Sequence, residues 1–321
     1  MLQALKRRWF LLLLVATVAI GMTWAESLES VSARLPRRWI IGSVLLAMAL
    51  PLKVDAMWAT LRKPRPAILA TAINFLLVPL FAWLGSQLLT EDLALGLIVA
   101  AAVPSTLASA AVWTRLAGGN DAVSLLVTMI TNLGCFVVTP AILFVLAGRD
   151  DSSIDFAEMA VKLLVLIVLP IMGAQLLRSI PPVGDWATTN KTLLSTYAQI
   201  GLLTIVFSGA VNGGLKLASL EGQLAPIAGQ IGLMMIVVAA VHTAAWFAAY
   251  HLAATLGIAR EEQLAVAFSG SQKTLMVGLA IALSFGGLTV LPMLAYHIEQ
   301  LLIDTLLADR YRINSTAETT T

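Results

Sequence analysis

The chain has 321 residues, 59% of them hydrophobic and only 12% charged, where soluble domains carry about a quarter. A net charge of +2 is too small to argue for nucleic acid, and the single cysteine, Cys135, rules out an internal disulfide framework. Apolar runs of about twenty residues recur from end to end, which makes this a polytopic membrane protein.

The chain opens on Lys6-Arg7-Arg8 and then Trp9-Phe10-Leu11-Leu12. That is the charge profile of a signal peptide, but Trp24-Ala25-Glu26 is a poor cleavage site, so the run reads as a first transmembrane helix. The apolar runs and their punctuation place ten spans at 9–25, 39–57, 66–89, 93–117, 120–147, 155–179, 190–213, 223–256, 260–285 and 287–308. Backbone polar groups cannot go unpaired in lipid and the runs exceed barrel strands, so the fold class is an all-α membrane protein. Gly118-Gly119-Asn120-Asp121 predicts a tight turn and a helix start capped by Asn120 or Asp121. The tail after Asp309 is polar and expected to fray.

Orientation follows from Lys and Arg placement. With the N-terminus inside, the inner side holds Lys6, Arg7, Arg8, Arg62, Lys63, Arg65, Arg115, Arg178, Lys191, Arg260, Arg310 and Arg312, against Arg34, Arg37, Arg38, Arg149 and Lys216 outside. Both termini are therefore expected in the cytoplasm, in a plasma (bacterial inner) membrane. Lys53 and Lys162 lie near enough to span ends to snorkel.

Ten spans divide into five and five, and an odd-numbered half forces any internal repeat to be inverted. The fourth span is interrupted at Pro104-Ser105-Thr106 and continues through Ser109. The ninth, fourth of its half, is interrupted at Ser269-Gly270-Ser271 and continues Gln272-Lys273. Matching breaks in two inverted halves point to a secondary transporter's binding site. A break frees carbonyls at the end of one half-helix and N–H groups at the start of the next. Pro104 removes a donor, and Gly270 permits a sharp turn. Lys273 is the sharpest signal, because a lysine at mid-bilayer costs roughly 2.5–3.5 kcal/mol and survives only in a polar cavity with partners.

Other polar residues inside spans are Asn74, Asn132, Thr131, His242, His251, His297, Glu299 and Asp304. Ser124 and Thr128, four apart, share a helix face. A structural hydrogen bond is the default for each histidine, with proton handling as the alternative.

Three segments carry a resemblance: Val112-Trp113-Thr114-Arg115 through Thr128, Thr139-Pro140-Ala141, and Phe268-Ser269-Gly270-Ser271-Gln272-Lys273-Thr274 running into Leu291-Pro292. In these the chain resembles the bile acid:sodium symporter superfamily, and within it the divergent bacterial, SBF-like branch related to the vertebrate member seven group. The resemblance implies ten helices as two inverted five-helix repeats, with broken helices four and nine crossing. It implies a core domain (66–147 plus 223–308) and a panel domain (9–57 plus 155–213) with a solute crevice between them. Ser124 and Thr128 match fifth-helix sodium ligands, Gln272 a ninth-helix glutamine, and Asn74 stands where the third helix carries a glutamine. A sodium ion near Ser124, Thr128 and Gln272 is thereby implied.

Three departures bear on that ion. The fourth-helix Ser-Asn pair falls on Ala110-Ala111, the ninth-helix acid falls on Phe268, and the residue after the glutamine is Lys273 in place of asparagine. An ammonium 4 Å from a sodium ion repels it by about 4 kcal/mol at an effective dielectric of about 20. The reading is that Lys273 occupies or abuts a vacated ion site, held by Ser124, Thr128 and freed carbonyls. It could instead release its proton and couple transport to protons, or pair with an anionic solute.

The expected function is alternating-access transport of a small organic anion or sterol-like solute, coupled to sodium or protons. No cofactor and no protein partner is inferred, and the lipid bilayer is the other partner. The alternative is a non-transporting membrane regulator of the same fold. An intramembrane enzyme is disfavoured: there is no His-Glu-x-x-His, no Gly-x-Ser-x-Gly and no pair of mid-helix aspartates. Ser271 and Lys273 face apart on a helix, so a Ser–Lys dyad would need the break to turn them together.

Overall fold

The computed structural model describes residues 9–52, 60, 62, 64–147, 155–220 and 224–318. Lys6, Arg7, Arg8, Lys53, Lys63 and Arg149, which enter the orientation and snorkelling arguments, lie outside the described residues. Among the described residues every regular element is a helix: α1 (Trp9–Thr23), α2 (Ala25–Ala33), α3 (Arg37–Ala49), α4 (Arg65–Ser86), α5 (Glu91–Ala102), α6 (Ser109–Leu116), α7 (Asp121–Leu146), α8 (Phe156–Arg178), α9 (Pro181–Thr189), α10 (Lys191–Ala218), α11 (Leu224–Thr255), α12 (Arg260–Ser271), α13 (Leu275–Phe285) and α14 (Val290–Glu318).

Seven of these are long and apolar enough to cross a membrane: α4, α7, α8, α10, α11, α12 taken with α13, and α14. An eighth is gained if α1 and α2 count as one span across a 106° bend. The chain is thus a multi-pass membrane protein. Ten spans were expected, and each shortfall has a local cause. Helix α1 is 15 residues long, α3 is 13, and the fourth span is divided into α5 and α6.

Two polar helices were not anticipated, α2 and α9. On α2 the buried Ala25 and Ser32 lie seven apart, two helical turns, and Ser32 Oγ sits 3.1 Å from Ser208 Oγ on α10. The tail also differs from expectation, since α14 runs helical to Glu318. Tyr311 holds its turn in place: its ring lies 5.2 Å from Trp246 and 5.1 Å from Tyr250, and its carbonyl accepts from Arg260 at 3.3 Å. The expected turn before α7 is present, with Gly118 at φ 82° and Asn120 Oδ1 accepting from Ala122 N–H at 3.2 Å.

Helix α10 packs on α1, α2 and α3, and α8 packs on α3. A second group joins α4 with α5 and α12, α11 with α12 and α14, and α7 with α6. Small residues set the closest approaches, as is usual where lipid offers no hydrophobic drive between helices. A Cβ on Gly214 of α10 would stand 2.6 Å from the Met22 carbonyl of α1, and one on Gly96 of α5 only 2.4 Å from the Thr289 carbonyl.

Two helices widen by one residue per turn, α4 at Ile73–Leu77 and α8 at Leu164–Val168. Each π segment stands just before a proline, Pro79 or Pro170, whose missing N–H removes a helical donor. In α4 the i→i+5 register runs Val78 N–H to the Ile73 carbonyl, so the next donor should be residue 79, which is proline. The Asn74 carbonyl is consequently left without a helical partner.

The breaks differ from expectation in one detail. The first spans residues 103–108 and includes Pro104, as expected. The second lies at 272–274, three residues beyond the expected Ser269-Gly270-Ser271, which is regular helix at the end of α12. Gly270 is therefore not the break. Its role is proximity: a Cβ there would lie 3.1 Å from Ile73 Cγ2, so α12 runs close against α4.

Candidate functional site

The two breaks touch. Thr274 N–H donates to the Pro104 carbonyl at 2.9 Å, joining the start of α13 to the interruption between α5 and α6. An interrupted helix in an apolar bundle must find partners for its freed carbonyls. At the first break the other carbonyls from 102 to 106 find them too. The Ala102 carbonyl accepts from Thr139 Oγ1 (2.8 Å), Val103 from Lys273 Nζ (3.0 Å), Ser105 from Asn132 Nδ2 (2.9 Å) and Thr106 from Thr128 Oγ1 (2.9 Å).

The second break is satisfied by three side chains. Asn74 Nδ2 donates to the carbonyls of Gln272 (3.0 Å), Gly270 (3.1 Å) and Ser269 (3.4 Å). Tyr296 Oη donates to the Ser271 carbonyl at 2.9 Å. Gln300 clasps Lys273 from both sides, accepting from its N–H at 2.9 Å and donating to its carbonyl at 3.0 Å.

Lys273 is fully buried. Its ammonium has three acceptors: the Asn74 carbonyl at 2.6 Å, Asn74 Oδ1 at 3.2 Å and the Val103 carbonyl at 3.0 Å. The first of these is the carbonyl released by Pro79. Ser124 and Thr128, expected to hold this ammonium, do not. Ser124 Oγ pairs with Thr114 Oγ1 at 2.8 Å, and Thr128 is committed to the Thr106 carbonyl. Their hydroxyls serve the packing of α6, α7 and the first break.

Gln272 belongs to a second cluster. Its Oε1 accepts from Thr106 Oγ1 (2.7 Å) and Ser109 Oγ (2.9 Å), while its Nε2 donates to Asp304. The other Asp304 oxygen lies 3.0 Å from His242 Nε2, and both side chains are fully buried. Ser269 and Ser271 place their hydroxyls elsewhere. Each bonds back to its own helix, at Ala265 and Ala267, so neither side chain joins the site and no Ser–Lys dyad forms.

A cavity of about 330 Å³ reaches this crossing. It is walled by α1, α3 and α10 on one side and by α6, α13 and α14 on the other, and its lining is mostly apolar. At its inner end are Thr106, Ser109, Thr274 and His297; at its far end are Phe10 and Lys191, in the first turns of α1 and α10, and Leu52, just past the end of α3.

The SBF-like CPA transporter family matches residues 8–313. The chain belongs to that family. An uncharacterized protein, PA2026, of Pseudomonas aeruginosa is 27% identical over 84% of this chain and 82% of its own length. Sodium/bile acid cotransporter 7 of Rattus norvegicus is 22% identical over 96% of this chain and 93% of its own. Probable sodium/metabolite cotransporter BASS4, chloroplastic, of Arabidopsis thaliana is 26% identical over 83% and 64%.

In this SBF-like transporter the contribution of α14 exceeds what its sequence suggested. Tyr296, Gln300 and Asp304 recur every four residues, which puts them on one helix face. All three point into the site. The stripe is a legible signal, a polar row at helical spacing in an apolar span, but by residue type only Asp304 stands out. His242 lies 62 residues from Asp304 in the chain, and nothing local pairs them.

Proposed function

We propose that the protein is a secondary active transporter working by alternating access, built of ten spans in two inverted halves. Residues 66–147 and 223–308 form its core domain, and 9–57 and 155–213 its panel. The observation that carries this is the contact of the two breaks, Thr274 N–H on the Pro104 carbonyl, at the inner end of the cavity between the two groups of helices. A dipolar crossing gives a solute polar anchors in an otherwise oily bundle.

The solute is a small organic anion or sterol-like molecule, coupled to sodium or protons. The apolar lining favours an apolar body, and Lys191 at the cavity's far end offers a counter-charge. The names of two relatives, a sodium/bile acid and a sodium/metabolite cotransporter, support a cation-coupled carrier. Thr106 and Ser109 would anchor the solute's polar end, with Gln272, Lys273 and Asn74 fixing the crossing behind them. The protein would sit in a bacterial inner membrane with both termini in the cytoplasm, which makes this conformer inward-facing.

The test is uptake of labelled taurocholate, alongside a panel of other organic anions, into proteoliposomes with sodium and pH gradients imposed separately. Wild type should accumulate a solute and show saturable counterflow, and Lys273→Met should lose most of the uptake. Unchanged rate and coupling in that variant would remove Lys273 from the mechanism, and no counterflow with any solute would favour the non-transporting regulator.

A further inference from the structure

The oxygens around Lys273 Nζ are the kind that hold an alkali cation. Two are backbone carbonyls and one is an amide oxygen, all aimed at one point inside the protein; hard cations are bound by oxygen sets of this type. The Asn74 amide is oriented unambiguously by its surroundings. Its nitrogen faces three carbonyls, so its oxygen must face the ammonium. An ammonium has three donors and no acceptor, which matches three acceptors; a neutral amine would set its lone pair against an oxygen.

We propose that the Lys273 ammonium is a tethered cation, seated in an alkali-cation position between the Asn74 turn of α4 and the end of α5, and that the protein binds no sodium there. Its counter-charge is also built in. Among the described residues, Lys273 and Asp304 are the one lysine and the one aspartate that are fully buried. Asp304 bonds Gln272, the residue next to Lys273. A buried charge is tolerated when hydrogen-bonded and accompanied by an opposite charge, and Asp304 offers one through Gln272 without a mobile ion. The carbonyls at the second break are occupied as well, by the Asn74 amide nitrogen, Tyr296 Oη and Gln300 Nε2.

The proposal rests on the transport reading only for its meaning in a coupled cycle. Its test uses sodium alone, so a failed uptake assay leaves it standing. The purified full chain is titrated with sodium chloride against equal choline chloride, following Tm and saturable binding of radioactive sodium. Wild type should show no sodium-specific shift or saturable binding that Asn74→Ala abolishes. Lys273→Ala empties the position and should gain sodium binding, with Tm rising by about 3 °C at saturation. Lys273→Met, which fills the space with apolar atoms, should gain nothing. Should Lys273→Ala not yield folded protein, Lys273→Ser carries the same expectation. Saturable sodium binding by wild type that Asn74→Ala removes would overturn the proposal, as would a folded Lys273→Ala indifferent to sodium.

Discussion

A buried charge is defined by what surrounds it, and the fully buried lysine and aspartate among the described residues are treated differently. Lys273 is met by three oxygens from two backbone segments, whereas Asp304 is met by two side-chain donors, from His242 and Gln272. Removing one partner of a buried polar pair costs more than the pair is worth, because the other partner is stranded. Asp304→Ala should therefore destabilise the fold by about 3–5 kcal/mol. Asp304→Asn, which keeps one acceptor, should cost clearly less. Unfolding of both variants in the same detergent checks this, and equal losses would mean that the carboxylate's acceptor capacity does not matter. Lys273 and Gln272 stand out in the sequence because polar residues are rare there. Gln300, an equally close partner of the break, does not, because a single glutamine is unremarkable until its neighbours at four-residue spacing are considered.

At the scale of elements, prolines and glycines do most of the shaping. Pro79 frees the Asn74 carbonyl, Pro104 sits in the first break, and Gly96 lets α5 approach the start of α14. Gly96→Ala forces a methyl against the Thr289 carbonyl, backbone that cannot rotate away, and should cost about 1–3 kcal/mol. A methyl added at Gly134 on α7 would meet nothing within 4 Å, so Gly134→Ala should instead stabilise by about 0.5–1 kcal/mol through helix propensity. Opposite signs of the Tm change in the two variants are the expected result. Helix positions were legible to within a few residues where runs were long and apolar. The exact second break was not, since Ser269, Gly270 and Ser271 resemble helix breakers but are held in α12 by its packing against α4 and α11.

For the whole molecule the testable quantity is which side the cavity opens to. Cys135 is fully buried, and Val112 lines the cavity at 46% exposure. In vesicles of known sidedness, a membrane-impermeant maleimide should leave wild type unlabelled and should label Val112→Cys from the cytoplasmic face. Preferential labelling from the other face would reverse the orientation argued from Lys and Arg placement.

Composition and hydropathy alone determined that this chain is a helical, multi-pass membrane protein, because lipid demands long apolar helices and that demand is met residue by residue along the chain. They also flagged the fourth and ninth spans and Lys273, since a costly residue is visible without its partners. Only the tertiary structure decided what Lys273 does. Its acceptors, Asn74 and Val103, lie 199 and 170 positions away. The expected holders, Ser124 and Thr128, are taken by nearer carbonyls and hydroxyls. Partner choice depends on how two breaks cross in space, and no local pattern encodes a crossing.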